Sequence, residues 1–160
     1  MNEILHMLEQ DGRLTIEQLA ERSGRPVEEV RQMVAEAEAG GIIRKYKAVI
    51  NWDHVDNNLI TYAFIEVKVT PQREFGFDTV AERIMRFPEV HALYLLSGSY
   101  DLHVVVRGKD LREIANFVTT KLATLDSVLS TTTHFMLKGY KVDGDIMEDI
   151  ETPNRLPASM

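Results

Sequence analysis

Residues 59–141 carry the pattern that most restricts the fold of this chain: a strand, a helix and a strand, in that order, twice over. Runs of β-branched and aromatic residues predict the strands, and apolar residues three and four positions apart predict the helices. In chain order, the predicted elements are strand 59–69, helix 77–87, strand 90–96, strand 102–107, helix 111–125 and strand 128–141. This α+β arrangement predicts a ferredoxin-like βαββαβ sandwich, with both helices on one face of an antiparallel sheet.

The other face of such a sheet has no helix to cover it. If that face met water, its strands would alternate apolar and polar residues. Residues 90–96 are instead apolar at nearly every position, and residues 102–106 are apolar except for His103. The sequence therefore predicts that a second copy of the chain covers this face, and hence a homodimer.

The first fifty residues have the apolar spacing of helices, and turn residues divide them into three short helices. The first covers residues 2–10. Thr15 and Gln18 predict a capping box at the start of the second helix. The third lies between Pro26 and Gly40, residues typical of a helix start and a helix end.

Three small or apolar residues favour a helix-turn-helix within this segment. Ala20 is small where two helices cross closely, Gly24 can adopt a positive φ in the turn, and Val30 can fill the space between the helices. The alternative is another kind of three-helix bundle, because the spacing alone does not separate the two.

Four segments follow from these patterns. Residues 1–43 are predicted as a winged-helix-like helix-turn-helix domain, and residues 44–58 as a linker strand and hinge, because residues 42–50 are β-branched and aromatic. Residues 59–142 form the second domain. Residues 143–160 are acidic and are predicted as a mobile tail, with a strap over a partner subunit as the alternative.

The composition limits where such a chain works. It has no cysteine, so it needs no oxidising compartment, and it shows neither a signal peptide nor an apolar run long enough to span a bilayer. We therefore expect a cytoplasmic protein without a membrane partner. The net charge of −7 is unfavourable for DNA binding, and residues 1–50 contribute seven basic and nine acidic side chains.

Several strings resemble the leucine-responsive (Lrp/AsnC) family of bacterial and archaeal transcription regulators over nearly the whole chain. They are LEQDGRLT at residues 8–15, LAERSG at residues 19–24, GIIRKYKAVI at residues 41–50, FPEV at residues 87–90 and SGSYD at residues 97–101. The resemblance implies a DNA-binding third helix, dimers that assemble into octamers, and an amino-acid effector held between dimers. The chain departs from the family pattern in its shortened first helix, in Ser99 where an acid is usual, and in a third helix poor in basic residues.

The resemblance assigns double-stranded DNA to the helix-turn-helix. Basic side chains there are expected to contact phosphates, and polar side chains of the third helix to face the bases, where glutamate can accept from cytosine N4. The candidate DNA-binding residues are Arg13, Arg22, Arg25, Glu28, Glu29, Arg31, Gln32 and Lys45. Because acids cost affinity beside phosphates, we expect weak binding at a single site, offset by avidity in an oligomer.

The loop between the third and fourth predicted elements is the candidate effector site. As a plain hairpin it needs only Gly98, with a positive φ, and the last strand needs only good strand formers. As a ligand loop it offers amides to an α-carboxylate and Asp101 to an α-ammonium. By resemblance, the candidate effector-binding residues are Gly98, Ser99, Tyr100, Asp101, Thr133 and His134.

Enzymatic readings have little support. The five histidines are scattered without metal-ligand spacing, so we predict no catalytic residues, no metal and no cofactor. The first alternative is a tetrapyrrole-decarboxylase-like enzyme of the same architecture, which would change the absorption spectrum of a haem precursor. The second is a sensor that has lost DNA binding.

Overall fold

A computed structural model of the protein describes residues 1–57, 60–70 and 76–148. The chain divides into two compact units between residues 50 and 51. The predicted strand start at residue 59 and the end of the predicted tail from residue 149 lie outside the described residues. None of the helices in the described part of the chain has the length and apolar character needed to span a bilayer.

The N-terminal unit contains the three predicted helices. They are α1 (Asn2–Gln10), α2 (Ile16–Ser23) and α3 (Val27–Ala39). One apolar side of each helix packs into a shared core, formed by Ile4, Leu8, Leu19, Ala20, Val30 and Val34. Their opposite sides are polar and exposed, as the helical spacing predicted.

The predicted strand over residues 42–50 is wrong. The amides of Ile42 and Ile43 both donate to the carbonyl of Ala37 and close the end of α3, and residues 44–50 continue as exposed chain without strand pairing. A β-branched sequence becomes a strand only beside a second strand, and residues 1–50 fold otherwise into helices.

The second unit has the predicted order of strands and helices. After a 3₁₀ turn (Trp52–His54), it contains β1 (Thr61–Val69), α4 (Asp78–Ile84), β2 (Val90–Leu95), β3 (Leu102–Gly108), α5 (Leu111–Phe117) and β4 (Val128–Phe135). The described strands form an antiparallel sheet in the order β2-β3-β1-β4. This is the ferredoxin-like arrangement that the sequence predicted.

Alternate residues of β1 fix the two faces of this sheet. Ala63, Ile65 and Val67 are fully buried and pack in one core with residues of α4 and α5, whereas Phe64 and Glu66 on the other face are half-buried. Full burial of an aliphatic side chain contributes about 1.5–3 kcal/mol, so the helix-covered face carries most of the apolar stabilisation of this unit. The opposite face, called here the open face, is where the sequence predicted a second copy.

Several predicted elements end earlier than expected. The helix predicted over residues 77–87 ends at Ile84. The helix predicted over residues 111–125 changes after Phe117 into a π-helical turn (Val118–Leu122). The last long strand ends at Phe135, opposite Ala63, because β1 begins at Thr61 and offers little more backbone to pair with.

A short hairpin crosses the predicted boundary between residues 142 and 143. It consists of β5 (Lys141–Val142) and β6 (Asp145–Ile146), joined by Asp143 and Gly144, which both adopt a positive φ. The side-chain Nδ2 of Asn51 donates to the backbone carbonyl of Met147 at 2.5 Å. The acidic segment is therefore ordered at its start, because a two-residue turn lets its backbone pair with residues 141–142.

Candidate DNA interface and effector site

The turn between α2 and α3 has the geometry predicted for a helix-turn-helix. Gly24 lies in the left-handed region, with φ of 66°, and the amide of Arg25 donates to the carbonyl of Ala20 at 3.1 Å. Ala20 and Val30 are both buried in the core between the helices. A residue with a Cβ is strained at this φ, so the glycine sets the angle at which α3 leaves α2.

A capping box fixes the start of α2. The amide of Thr15 donates to Oε1 of Gln18 at 2.9 Å, and the amide of Gln18 donates to Oγ1 of Thr15 at 3.3 Å. These two bonds satisfy backbone groups that a helix start leaves unpaired. The sequence prediction of this motif is confirmed.

The polar residues predicted to face DNA do lie on the exposed side of α3. Glu28, Glu29, Arg31 and Gln32 are all exposed. Over the whole helix there are four glutamates and one arginine, so this surface is acidic. Arg13, Arg22 and Lys45 are also exposed, and none of them forms an ion pair within the part of the chain that the structure describes.

The two arginines nearest to this acidic surface are paired with carboxylates. Nη1 of Arg25 lies 2.6 Å from Oε1 of Glu29, and Arg31 lies 3.6 Å from Glu28 and 3.7 Å from Glu17. A hydrogen bond from its own backbone amide, together with the Thr15 hydroxyl and the Arg31 charge, holds the pKa of Glu17 below its usual 4.5. Glu17 is therefore ionised at neutral pH, and the carboxylates of Glu17, Glu28 and Glu29 lie close enough to compensate the charge of the two arginines.

The candidate effector loop joins β2 to β3. The amide of Leu96 donates to the carbonyl of Asp101 at 2.8 Å and closes it, and residues 97–99 are exposed. The prediction that Gly98 has a positive φ is wrong, because Gly98 is not one of the described glycines that adopt a positive φ. The loop spans enough residues to turn without a left-handed position, and nothing lies within 4 Å of where a Cβ on Gly98 would be.

Asp101 holds the loop against the end of β1. Its Oδ2 accepts the backbone amide of Val69 at 2.9 Å, and its Oδ1 accepts Nζ of Lys68 at 3.1 Å. The Val69 amide, with the Lys68 ammonium, keeps the pKa of Asp101 below its usual 3.8. The carboxylate is thus ionised at neutral pH and already has a cationic partner.

The strand register separates two residues that the sequence placed in one site. Thr133 pairs with Ile65 and lies on the helix-covered side, whereas His134 pairs with Phe64 on the open face, 3.5 Å from Glu66. The predicted six-residue set is therefore not a single cluster, because neighbouring residues of a strand point to opposite faces.

Two residues that the sequence reasoning missed belong with the loop. The hydroxyls of Tyr100 and Thr132 share a hydrogen bond of 2.8 Å, and Lys68 pairs with Asp101. Both missed residues lie more than thirty positions from the loop residue that they contact. Only the pairing of β1 with both β3 and β4 identifies them, and no local sequence pattern reports that register.

No metal centre is evident in the described ranges, where no cluster of three or more histidine or acidic side chains could hold an ion. His91 and His103 pack instead against aromatic rings: His91 lies edge-on to Tyr62, and His103 stacks on Phe64 with ring centres 5.6 Å apart.

A helix-turn-helix followed by a ferredoxin-like unit defines a DNA-binding transcription regulator, and the comparisons with known proteins give its family. The family model for the Lrp/AsnC ligand binding domain matches residues 62–146, and that for a winged helix-turn-helix DNA-binding domain matches residues 2–44. The chain belongs to the Lrp/AsnC family.

Relatives support this assignment over nearly the full chain. The HTH-type transcriptional regulator YugG of Bacillus subtilis is 48% identical over 157 residues, covering 98% of this chain and 95% of YugG. The regulator PH0140 of Pyrococcus horikoshii is 33% identical, covering 83% and 81%. The Neisseria meningitidis transcriptional regulator NMB0573, solved as a complex with L-methionine, is 28% identical with a TM-score of 0.70, covering 88% of this chain and 89% of that one.

Proposed function

We propose that this regulator responds to a free amino acid bound at the loop between β2 and β3, and that it acts as a homodimer that assembles further, to an octamer. The observation that carries the proposal is that one chain contains both a helix-turn-helix and a unit of the Lrp/AsnC ligand-binding family. The similar regulator of Neisseria meningitidis was solved with L-methionine. A DNA-binding regulator works beside the chromosome, so we place it in the cytoplasm.

DNA docks on the exposed side of α3 in this proposal. Phosphates are contacted by the basic members of the predicted set, which are Arg13, Arg22, Arg25, Arg31 and Lys45. The base edges are met by Glu28 and Gln32, whose side chains lie exposed on the first turns of α3, whereas Glu29, the third residue predicted there, is paired with Arg25.

Fluorescence anisotropy with a labelled fragment of the regulator's own promoter tests this docking. We expect binding at low ionic strength that weakens steeply as salt is added, because phosphate contacts release counterions. Alanine at Arg22 should weaken binding and reduce the salt slope by about 0.9 for one lost phosphate contact. Absence of salt-sensitive binding by the parent protein would contradict the proposal.

The effector site is proposed to centre on residues 98–101. The backbone amides of Gly98 and Ser99, two exposed residues, suit an α-carboxylate, and the ionised Asp101 suits an α-ammonium beside Lys68. Tyr100 and His134 lie on the open-face side, whereas Thr133 is the member of the predicted set that this placement supports least.

A screen of the twenty amino acids by thermal unfolding identifies the effector. A ligand that binds only the folded protein stabilises it by about 2.7 kcal/mol at a concentration 100-fold above its Kd. The cognate amino acid should therefore raise the Tm by several degrees. If no amino acid shifts the Tm, the sensing role is wrong.

The absence of catalysis is also part of this proposal. Incubation with a haem precursor should leave its absorption spectrum unchanged, and a spectral change that depends on the protein would favour the decarboxylase-like alternative.

A further inference from the structure

The Arg25–Glu29 ion pair joins the end of the turn before α3 to the first turn of that helix. Their facing atoms lie 2.6 Å apart, and the two side chains are 38% and 42% exposed. Arg31, two residues after Glu29, has a looser arrangement, with carboxylates at 3.6 and 3.7 Å. Of the two arginines proposed to contact phosphate near α3, Arg25 is therefore the one held more closely by a carboxylate.

Such a pair is strong enough to orient the guanidinium but weak enough to exchange. Exposed ion pairs contribute about 0–1 kcal/mol, because water screens the charges. A phosphate is tetrahedral, but like a carboxylate it offers two anionic oxygens that can accept from both arms of the guanidinium. Arg25 can consequently leave Glu29 for a phosphate at a modest cost.

Glu29 itself stays in place when that exchange occurs. It lies in the first turn of α3, where the helix dipole favours a negative charge. The Nε of Arg25 is buried without a hydrogen-bond partner among the described residues, so the base of the guanidinium is held in place. A phosphate must therefore reach Arg25 close to Glu29. The carboxylate therefore remains beside any phosphate that Arg25 contacts.

We propose that Glu29 limits the DNA affinity of this regulator by competing with phosphate for the Arg25 guanidinium. This inference rests on the proposed docking of α3. Glu29 acts through Arg25, as an internal competitor, and its removal strengthens binding to any DNA sequence. Weak single-site binding would then be a built-in property that makes occupancy depend on assembly of several copies.

The test is a double-mutant cycle in the full-length protein, measured by anisotropy on the same promoter fragment. The variants are Glu29→Gln, Arg25→Ala and the double variant. Glu29→Gln alone should tighten binding by up to about fivefold, the size of an exposed ion pair. The gain should disappear in the Arg25→Ala background, because two residues that act through one contact are not additive.

Glu21→Gln is the matched control. It removes the same charge from the exposed side of α2, and Glu21 forms no ion pair within the described part of the chain. Any gain from Glu21→Gln should be smaller and should persist without Arg25. Far-UV circular dichroism verifies that each variant keeps its helices.

Three results would overturn the inference. Glu29→Gln could leave the affinity unchanged, its gain could persist at full size in the Arg25→Ala background, or Glu21→Gln could match it. In each case the parent protein still binds and the proposed function stands. If the parent shows no salt-sensitive binding at all, the proposed docking fails, and this inference falls with it.

Discussion

The carboxylate of Asp101 accepts the backbone amide of Val69 at 2.9 Å, so the loop after β2 is fastened to the last residue of β1. The two residues are 32 positions apart, and Lys68 completes the contact from the neighbouring position. A residue expected to pair with an effector thus also holds the backbone of the proposed effector loop in place.

This fastening should make stability depend on pH in acid. The pKa of Asp101 is lowered by the Val69 amide and by Lys68, so ionisation favours the folded state. The stabilisation is complete well above the usual pKa of 3.8, begins to fall as pH approaches that value, and is lost as pH drops through the lower folded value.

Thermal unfolding of the parent and of Asp101→Asn between pH 3 and pH 7 checks this. We expect the parent to have the higher Tm near neutrality and the difference to shrink below about pH 4. A difference in Tm that stays constant down to pH 3 would contradict the role of the ionised carboxylate. Glu21→Gln serves as the control for removal of an acid, because Glu21 is exposed on α2 and forms no ion pair within the described part of the chain.

The hydrogen bond between Tyr100 and Thr132 should contribute to effector binding. Thr132→Val keeps the shape of the side chain but removes the hydroxyl, so the loop loses its contact with β4. A net hydrogen bond contributes about 0.5–1.5 kcal/mol, and we expect the Kd for the cognate amino acid to rise about threefold to tenfold, as measured by calorimetry.

Thr131→Val is the matched control for this contact. Thr131 pairs with Val67 and lies on the helix-covered side of β4, away from the loop. The same substitution there should leave the Kd for the amino acid unchanged. Equal effects of the two valines would assign the threonines to strand stability rather than to the loop.

Whether the sequence predicts a feature of this protein depends on how far apart in the chain the interacting residues are. The bounds of α1 and the capping box at Thr15 were predicted correctly, because residues at most a few positions apart decide them. The order of strands and helices was also predictable, since each has its own periodicity. The strand predicted at residues 42–50 failed because its formation depends on a partner that residues 1–50 do not supply.

The effector site was predictable only in its loop. Residues 98–101 were found as a string, but their contacts with Lys68 and Thr132 arise from the pairing of β1 with its neighbours. A shift of that register by one residue would exchange Thr133 and His134 between the two faces. The sequence therefore showed that alternate residues of β4 point to opposite faces of the sheet. It did not show which of those two faces contacts the loop.

The positive φ of Gly24 predicts a cost for any side chain at this turn. Gly24→Ala should destabilise the N-terminal unit by about 1–2 kcal/mol, because the left-handed conformation crowds a Cβ. Hydrogen exchange of the α2 and α3 amides measures this loss. Gly12→Ala is the control in the same unit, since Gly12 has no positive φ and a Cβ there would meet its nearest neighbour at 3.4 Å, and its effect should stay within about 0.5 kcal/mol. Equal destabilisation by both alanines would contradict the argument.

The open face of the sheet should carry the dimer contact. Val105 lies at its centre, opposite Phe64 on β1 and Ala92 on β2, and all three are half-buried in the single chain. A lysine at Val105 would place a charge in the middle of a dimer interface, where desolvation without a partner is costly. We therefore expect Val105→Lys to lower the mass measured by light scattering to that of a smaller assembly.

Two further variants make that result specific. Tyr94→Lys changes a 55% exposed residue of the same face, so it should dissociate the dimer even if Val105→Lys fails to fold. Leu111→Lys replaces a 58% exposed leucine of α5, on the helix-covered side, and should leave the dimer intact. If both open-face variants keep the parent mass while folded, the two copies meet through another surface.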